Sequence, residues 1–155
     1  MSNITLLIGI PGSGKTSKAR ELLAENPKLV YLNADSIREE QYGDENCQGD
    51  GNVVFGILFS RLRQAIEDGK DILVDNTSVR KAHRKKVLSM LHSNYDIYYK
   101  VFLTPLDVCL ARNAARSRVV PPTVVKDFYR ILQDQLELLK TETTNIEYLY
   151  ADATC

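Results

Sequence analysis

Short apolar runs alternate with stretches in which apolar residues return every three or four positions, and the alternation repeats five times along the 155 residues. The runs "ITLLI" (4–8), "KLVYLN" (28–33), "DILVD" (71–75), "YDIYYKVFL" (95–103) and "IEYLY" (146–150) read as strands. Between them, "SKARELLAEN" (17–26) and "ADSIREEQYG" (34–43) read as helices, the first ended by Pro27 and the second capped by Asp35 or Ser36. A polar glycine-rich loop over 43–51 follows. Apolar residues at 54, 58, 62 and 66, with Phe55 and Phe59 beside them and a stop at Gly69, predict a well-buried helix. "DILVD" lacks the polar alternation of a half-exposed strand, as expected for a parallel strand covered on both faces. Further helices are expected from about Val79 to Ser93, after Pro105, and from Pro121 to about Lys140. Parallel neighbours need a crossover connection, so the pattern predicts an α/β fold: a mostly parallel five-stranded sheet with helices on both faces. One domain over 1–155 is expected.

Composition narrows this further. With 44% hydrophobic and 26% charged residues the chain can build one real core. Twenty basic residues balance twenty acidic ones, which argues against a broad basic surface for nucleic acid but leaves room for a focused basic site. Cys47, Cys109 and Cys155 are widely spaced and form no CxxC pair, so neither a disulfide framework nor a zinc site is suggested. The first strand starts by about Ile4, and no apolar run approaches the roughly 20 residues of a membrane span. These features predict a cytoplasmic protein with no membrane partner; they leave its oligomeric state open.

The segment "GIPGSGKT" (9–16) lies between the first strand and the first helix. Gly9, Gly14, Lys15 and Thr16 satisfy the pattern GxxxxGK[ST], for which a chance match in a chain this long is on the order of half a percent. In such a loop the backbone N–H groups around Gly12, Ser13 and Gly14 turn toward phosphate oxygens, and the helix N-terminus adds favourable potential. Lys15 reaches the β- and γ-phosphates of ATP, and the Thr16 hydroxyl binds Mg²⁺. The plainer alternative is an exposed loop with a solvated lysine. Asp75 ends its strand and is followed by Asn76 and Thr77 rather than by the glutamate of motor-type ATPases, and no NKxD base-reading motif of GTP switches is present. A phosphotransferase fits these features better than a hydrolase or a switch.

Together "GIPGSGKTSKAREL", "LNADSIREEQYGD", "DILVDNTSVRKAHRKKVL" and "PLDVCLARNAARSRVVPPTVV" resemble the kinase domain of the phage-type polynucleotide 5′-hydroxyl kinases and related P-loop kinases of bacteria, from about residue 3 to residue 140. The resemblance implies a P-loop kinase fold with strand order 2-3-1-4-5, an Arg-bearing lid, ATP and Mg²⁺ as cofactors, and a nucleic-acid 5′ end or a nucleotide as substrate. It further implies that Lys15 and Thr16 handle ATP and Mg²⁺, that Asp35 is the general base for the acceptor hydroxyl, and that Arg38 holds the acceptor phosphate. Asp75 would orient Arg38, and Arg116 would stabilise the transferred phosphoryl group from the lid.

The residues bear on these roles independently. Asp35 and Arg38 lie three apart, on one face of a helix, where they can address two groups of one acceptor; the alternatives are a capping aspartate and a solvated arginine. Arg112 and Arg116 lie four apart just before Val-Val-Pro-Pro, with Arg118 a further candidate, and arginines over the equatorial oxygens supply much of the catalysis in phosphoryl transfer. Here a solvated helix end is the alternative. The basic run "RKAHRKK" (80–86) reads first as a solvated helix face, Tyr42 as a ring that either stacks on a base or packs, and His83 and His92 lack metal-ligand spacing. The rival functions are a kinase for a small metabolite or a hydroxymethylated DNA base, and an ATP-binding switch that transfers nothing.

Overall fold

A computed structural model of the chain describes residues 2–43, 51–116 and 119–150. Five strands, β1 (Ser2–Ile8), β2 (Val30–Leu32), β3 (Ile72–Asp75), β4 (Tyr95–Phe102) and β5 (Asn145–Leu149), form one sheet in the order β2-β3-β1-β4-β5, with every neighbouring pair parallel. The helices are α1 (Lys15–Glu25), α2 (Ala34–Tyr42), α3 (Gly51–Glu67), α4 (Lys81–Ser89), α5 (Leu106–Ala115) and α6 (Pro122–Glu142). The expected strand order is therefore the observed one. The helix expected over 79–93 is shorter at both ends, because Ser78 takes a left-handed turn at φ 51° and Val79 is buried in the loop ahead of α4. Cys47, Cys155 and Arg118 lie outside the described residues, as does most of the loop expected over 43–51.

Alternate residues of the central strands feed opposite faces of the sheet. Ile4, Leu6 and Ile8 of β1, with Ile72 and Val74 of β3, join the larger apolar cluster, which takes Ile37, Val54, Leu58, Leu62, Val125 and Leu139 from the helices beyond α1. Leu7 and Leu73 point the other way, into a smaller cluster closed by Ala19, Leu22 and Leu23 of α1. Burying a single such leucine or isoleucine is worth about 1.5–3 kcal/mol, so the two clusters together hold the sheet between its helical layers. Cys109 belongs to the core, and burial pushes its thiol up to about 11, which leaves it a small apolar residue rather than a nucleophile. No helix among the described residues is long and apolar enough to cross a membrane.

The basic run over 80–86 is divided by the fold. Arg84 is fully buried, with its Nε and Nη2 donating to both carboxylate oxygens of Glu142 at 2.8 and 2.9 Å, Nη2 also to Gln135 at 2.6 Å, and Nη1 to the carbonyls of Ser78 and Val79. Tyr99 donates a further bond to Glu142 at 2.7 Å. One guanidinium thus ties the left-handed turn at Ser78 and the start of α4 to the C-terminal end of α6. Burial works against the charge on Glu142, but the bonds from Arg84 and Tyr99 outweigh it and hold the carboxyl below its ordinary range. A carboxylate depressed in this way adds stability above its unfolded pKa of about 4.3, and that stability is lost as the pH falls through the folded value. Glu142→Gln, which strands the Arg84 charge, should cost about 3–5 kcal/mol at pH 7, and its melting-temperature deficit should shrink below about pH 4, where the unmutated carboxyl also takes up a proton. Equal deficits at pH 7 and pH 3 in parallel thermal melts would show that the charge is not what matters.

Candidate active site

A cavity of about 1370 Å³ opens beyond the carboxyl ends of β1, β2 and β3. It is where a parallel α/β sheet places its ligands. Gly12, Gly14, Lys15 and Thr16 line it from the first loop, Asp35 and Arg38 from α2, Asp75 from β3, and Arg112 and Arg116 from the end of α5. Of the residues singled out in the sequence as site candidates, Ser13 sits behind this wall, fully buried, with a hydroxyl that has no partner.

The loop's shape follows from its glycines and from what lies behind them. Gly12 has φ 83°, and a Cβ there would stand 2.4 Å from the Cys109 carbonyl oxygen, so both the conformation and the space exclude a side chain. Gly14, at φ 106°, serves as the N-cap of α1 without a side-chain cap, and the first turn of that helix carries no acidic residue. The leading N–H groups of α1 are therefore left uncapped by the chain's own side chains. Thr104 donates to the Ser13 carbonyl at 2.7 Å, and the Gly9 N–H donates to the Thr77 carbonyl at 3.1 Å, so the segments that follow β4 and β3 both brace the loop. The Lys15 ammonium folds back to donate to the Ile10 carbonyl at 3.2 Å. Burial pulls Lys15 below its ordinary value and raises Asp75 above its own, each being the other's main compensating charge.

The α2 side of the cavity is held in place by side chains that the sequence pattern does not single out, Asn33 and Asn76. Asn33, not Asp35 or Ser36, caps α2: its side chain accepts from the Ser36 N–H at 2.8 Å. Asparagine is a strong cap, and its place directly ahead of "ADSIREEQ" was the available signal. The same Asn33 donates to the Asp75 carbonyl, while Asn76 accepts from the Ala34 N–H at 3.0 Å, so the start of α2 is stitched to the end of β3. That stitching sets where Asp35 and Arg38 stand. The side chain that orients Arg38 is Asp35, at 2.7 Å from Nη1 to Oδ1, and not Asp75, whose carboxylate accepts from Tyr31 on the adjacent strand β2. Helical spacing of three brings the first pair within reach, whereas Asp75 is turned toward Lys15 and Tyr31. Arg38 is buried rather than solvated, and its Nε has no partner.

On the lid side, α5 ends at Ala115, and Arg116 follows in extended conformation at φ −89°, ψ 160°. The buried Asn113 donates to the Val120 carbonyl at 2.6 Å and accepts from the Val120 N–H at 3.1 Å. It pins Val120 back onto the helix, an arrangement no local pattern announces. Tyr42 is exposed at the end of α2 and does not line the cavity.

Uncapped helix amides and a desolvated lysine suit the triphosphate of ATP. No three His, Cys, Asp or Glu among the described residues gather to hold a metal by themselves. Mg²⁺ at a nucleotide needs no such cage, because it takes most of its ligands from phosphate oxygens and water. The Thr16 hydroxyl, with the Asp75 carboxylate in the same cavity, is a donor set of the right kind.

Fold and loop together define the P-loop kinase class. Residues 4–137 match the family model of an AAA domain, AAA_33, and the chain belongs to that family. It is 26% identical over 137 residues to the L-seryl-tRNA(Sec) kinase of Methanococcus maripaludis, with 81% of this chain and 51% of that protein aligned. It thus spans about half of that relative's length. It is 34% identical over 132 residues to the adenylate kinase of Nautilia profundicola, covering 77% of this chain and 67% of the relative. A solved structure of the Pnkp1/Rnl/Hen1 RNA repair complex contains a chain that superposes with a TM-score of 0.78 over 88% of this chain and 46% of its own length, at 19% identity. At that identity the likeness is one of fold.

Gly12→Ala should abolish ATP binding, measured by calorimetry, and lower the melting temperature, because the added methyl meets the Cys109 backbone and strains a left-handed residue by about 1–2 kcal/mol. Tight ATP binding in the variant would mean that the loop does not cradle phosphate as described.

Proposed function

We propose that the chain is an ATP- and Mg²⁺-dependent phosphotransferase that phosphorylates the 5′-hydroxyl of a polynucleotide or nucleotide end. The observation that carries this reading is the Asp35–Arg38 ion pair lining the cavity that Lys15 and Thr16 also line. A carboxylate able to accept a proton and a guanidinium able to bind an anion stand side by side in the cavity that the phosphate loop also lines. The names of two similar proteins add support of a coarser kind, an RNA repair complex for work on RNA and a seryl-tRNA kinase for an acceptor carried on RNA.

In this reading ATP supplies the γ-phosphoryl group and Mg²⁺ the charge neutralisation between its phosphates. Lys15, unpartnered by any carboxylate within ion-pair distance among the described residues, turns from the Ile10 carbonyl to the incoming phosphates. Asp35 takes the proton from the acceptor hydroxyl as that oxygen bonds to phosphorus and the bond to the leaving diphosphate breaks. Arg38 binds the phosphate that follows the 5′-nucleoside and so sets the hydroxyl against Asp35. Arg112 and Arg116 approach the transferred group from the lid, and Arg116 adds charge where negative charge develops.

A second reading draws on the 34% identity to an adenylate kinase: the acceptor would be the phosphate of a nucleoside monophosphate. An ionised phosphate has no proton for Asp35 to remove, so the two readings separate at that residue.

Transfer from radiolabelled ATP should be seen to nucleoside 3′-phosphates and 5′-hydroxyl oligonucleotides, with a 3′-phosphate raising kcat/KM roughly 10- to 150-fold over the bare nucleoside. Asp35→Asn should lower transfer about 10²- to 10⁴-fold with ATP binding kept, and Arg116→Ala should lower kcat far more than it raises the KM for ATP. Lys15→Ala should abolish turnover in a folded protein. Brisk phosphorylation of a metabolite or of nucleoside monophosphates, beside none of 5′-hydroxyl ends, would overturn the proposal.

A further inference from the structure

The wall of the cavity formed by α3 and α4 is built from rings and cations. Phe55 and Phe59, one turn apart on α3, have centroids 6.4 Å apart. His83 of α4 lies against Phe55 with centroids at 6.2 Å and planes 29° apart. The Lys86 ammonium stands 4.5 Å from the Phe59 ring centre, and the Arg80 guanidinium 6.0 Å from that of Phe128. All six residues line the cavity that holds Asp35 and Arg38.

Charge marks this wall as more than the edge of the core. On a chain with twenty basic and twenty acidic residues, the described residues that line the cavity include seven lysines and arginines against two aspartates. Lys15, Arg20, Arg112 and Arg116 belong to the phosphate loop, α1 and the lid, which leaves Arg38, Arg80 and Lys86 on the acceptor side. Among the described residues Arg80 and Lys86 form no ion pair, whereas Arg84 and Arg61 are each held by a glutamate. A cation parked over a ring keeps its charge available to an anion. Rings interleaved with cations along a groove are what hold a single strand, the rings by stacking on bases and the cations on phosphates.

We infer that the α3–α4 wall is a subsite for the second and third nucleotides of a single-stranded acceptor, with Phe55 and His83 offering a stacking surface and Arg80 and Lys86 meeting the phosphates beyond the one held by Arg38. This rests on the proposed 5′-hydroxyl kinase reading and names its substrate as an oligonucleotide rather than a mononucleotide.

Binding of a 5′-hydroxyl tetranucleotide carrying a 3′ fluorophore, followed by anisotropy over a range of salt, tests the subsite without any turnover. Three phosphate contacts give a log–log slope of about −2 for the unmutated protein, and Arg80→Gln/Lys86→Gln should bring it to about −0.7. The same double variant should remove an advantage of about 10-fold or more that the tetranucleotide holds over nucleoside 3′-phosphate in competition. Phe55→Leu, which keeps an apolar side chain of similar bulk, should weaken the tetranucleotide about 5- to 100-fold, and an abasic second nucleotide should erase that difference. Unchanged melting temperature and ATP affinity establish that the variants are folded. An unaltered slope in the double variant, or a tetranucleotide that binds no better than the mononucleotide, overturns the subsite even if phosphoryl transfer is observed. Absence of transfer to any acceptor would defeat the proposed function, and the binding slopes would still decide the subsite.

Discussion

Two opposite charges, Lys15 and Asp75, are drawn into the fold at the carboxyl ends of neighbouring strands, and the rest of the site is arranged around them. β1 and β3 are parallel partners with Leu7 beside Asp75 in register, so the loop after one strand and the last residue of the other open into the same cavity. Burial pulls the amine and the carboxyl each toward neutrality, and each offsets that pull in the other. Tyr31 adds a hydrogen bond to Asp75, which burial and the neighbouring carboxylates repay by raising the phenol well above its ordinary range. An anionic ligand arriving at such a pair meets a cation that water does not screen.

Around this pair, backbone polar groups are used as positioning devices. The phosphate loop is held from behind by Thr104 and by the close approach of Gly12 to Cys109, while α2 hangs from β3 through Asn33 and Asn76. Catalytic geometry in phosphoryl transfer depends on placement to fractions of an ångström, and short polar side chains locked to backbone supply it more rigidly than long flexible ones. Val120, beyond α5, is tethered in the same way, by the buried amide of Asn113.

The balanced charge of the chain conceals a sorted one. Within a single turn and a half of α4, Arg84 goes inward to Glu142 while Arg80 and Lys86 turn to the cavity. Family membership and fold agree on a P-loop kinase scaffold, a scaffold that serves many acceptors, so the choice of acceptor rests with walls of this kind.

What could be read from the chain alone were features whose partners are close in sequence or whose pattern repeats. The phosphate loop is eight contiguous residues, the apolar period of α3 and the uninterrupted run of β3 state their own burial, and the strand–helix alternation dictates parallel crossovers. The strand order and the roles of Arg38 and Arg116 came from the family resemblance, and it is the structure that brings Lys15, Asp35, Arg38, Asp75, Arg112 and Arg116 to one cavity. Only the tertiary structure decided which arginine of the basic run is buried, that Asn33 rather than Asp35 caps α2, and that Arg38 leans on Asp35 while Asp75 takes Tyr31. Each of those outcomes turns on a contact between residues tens of positions apart, or on a competition between near-equal local partners. A local pattern carries no record of which neighbour the fold will bring within 3 Å.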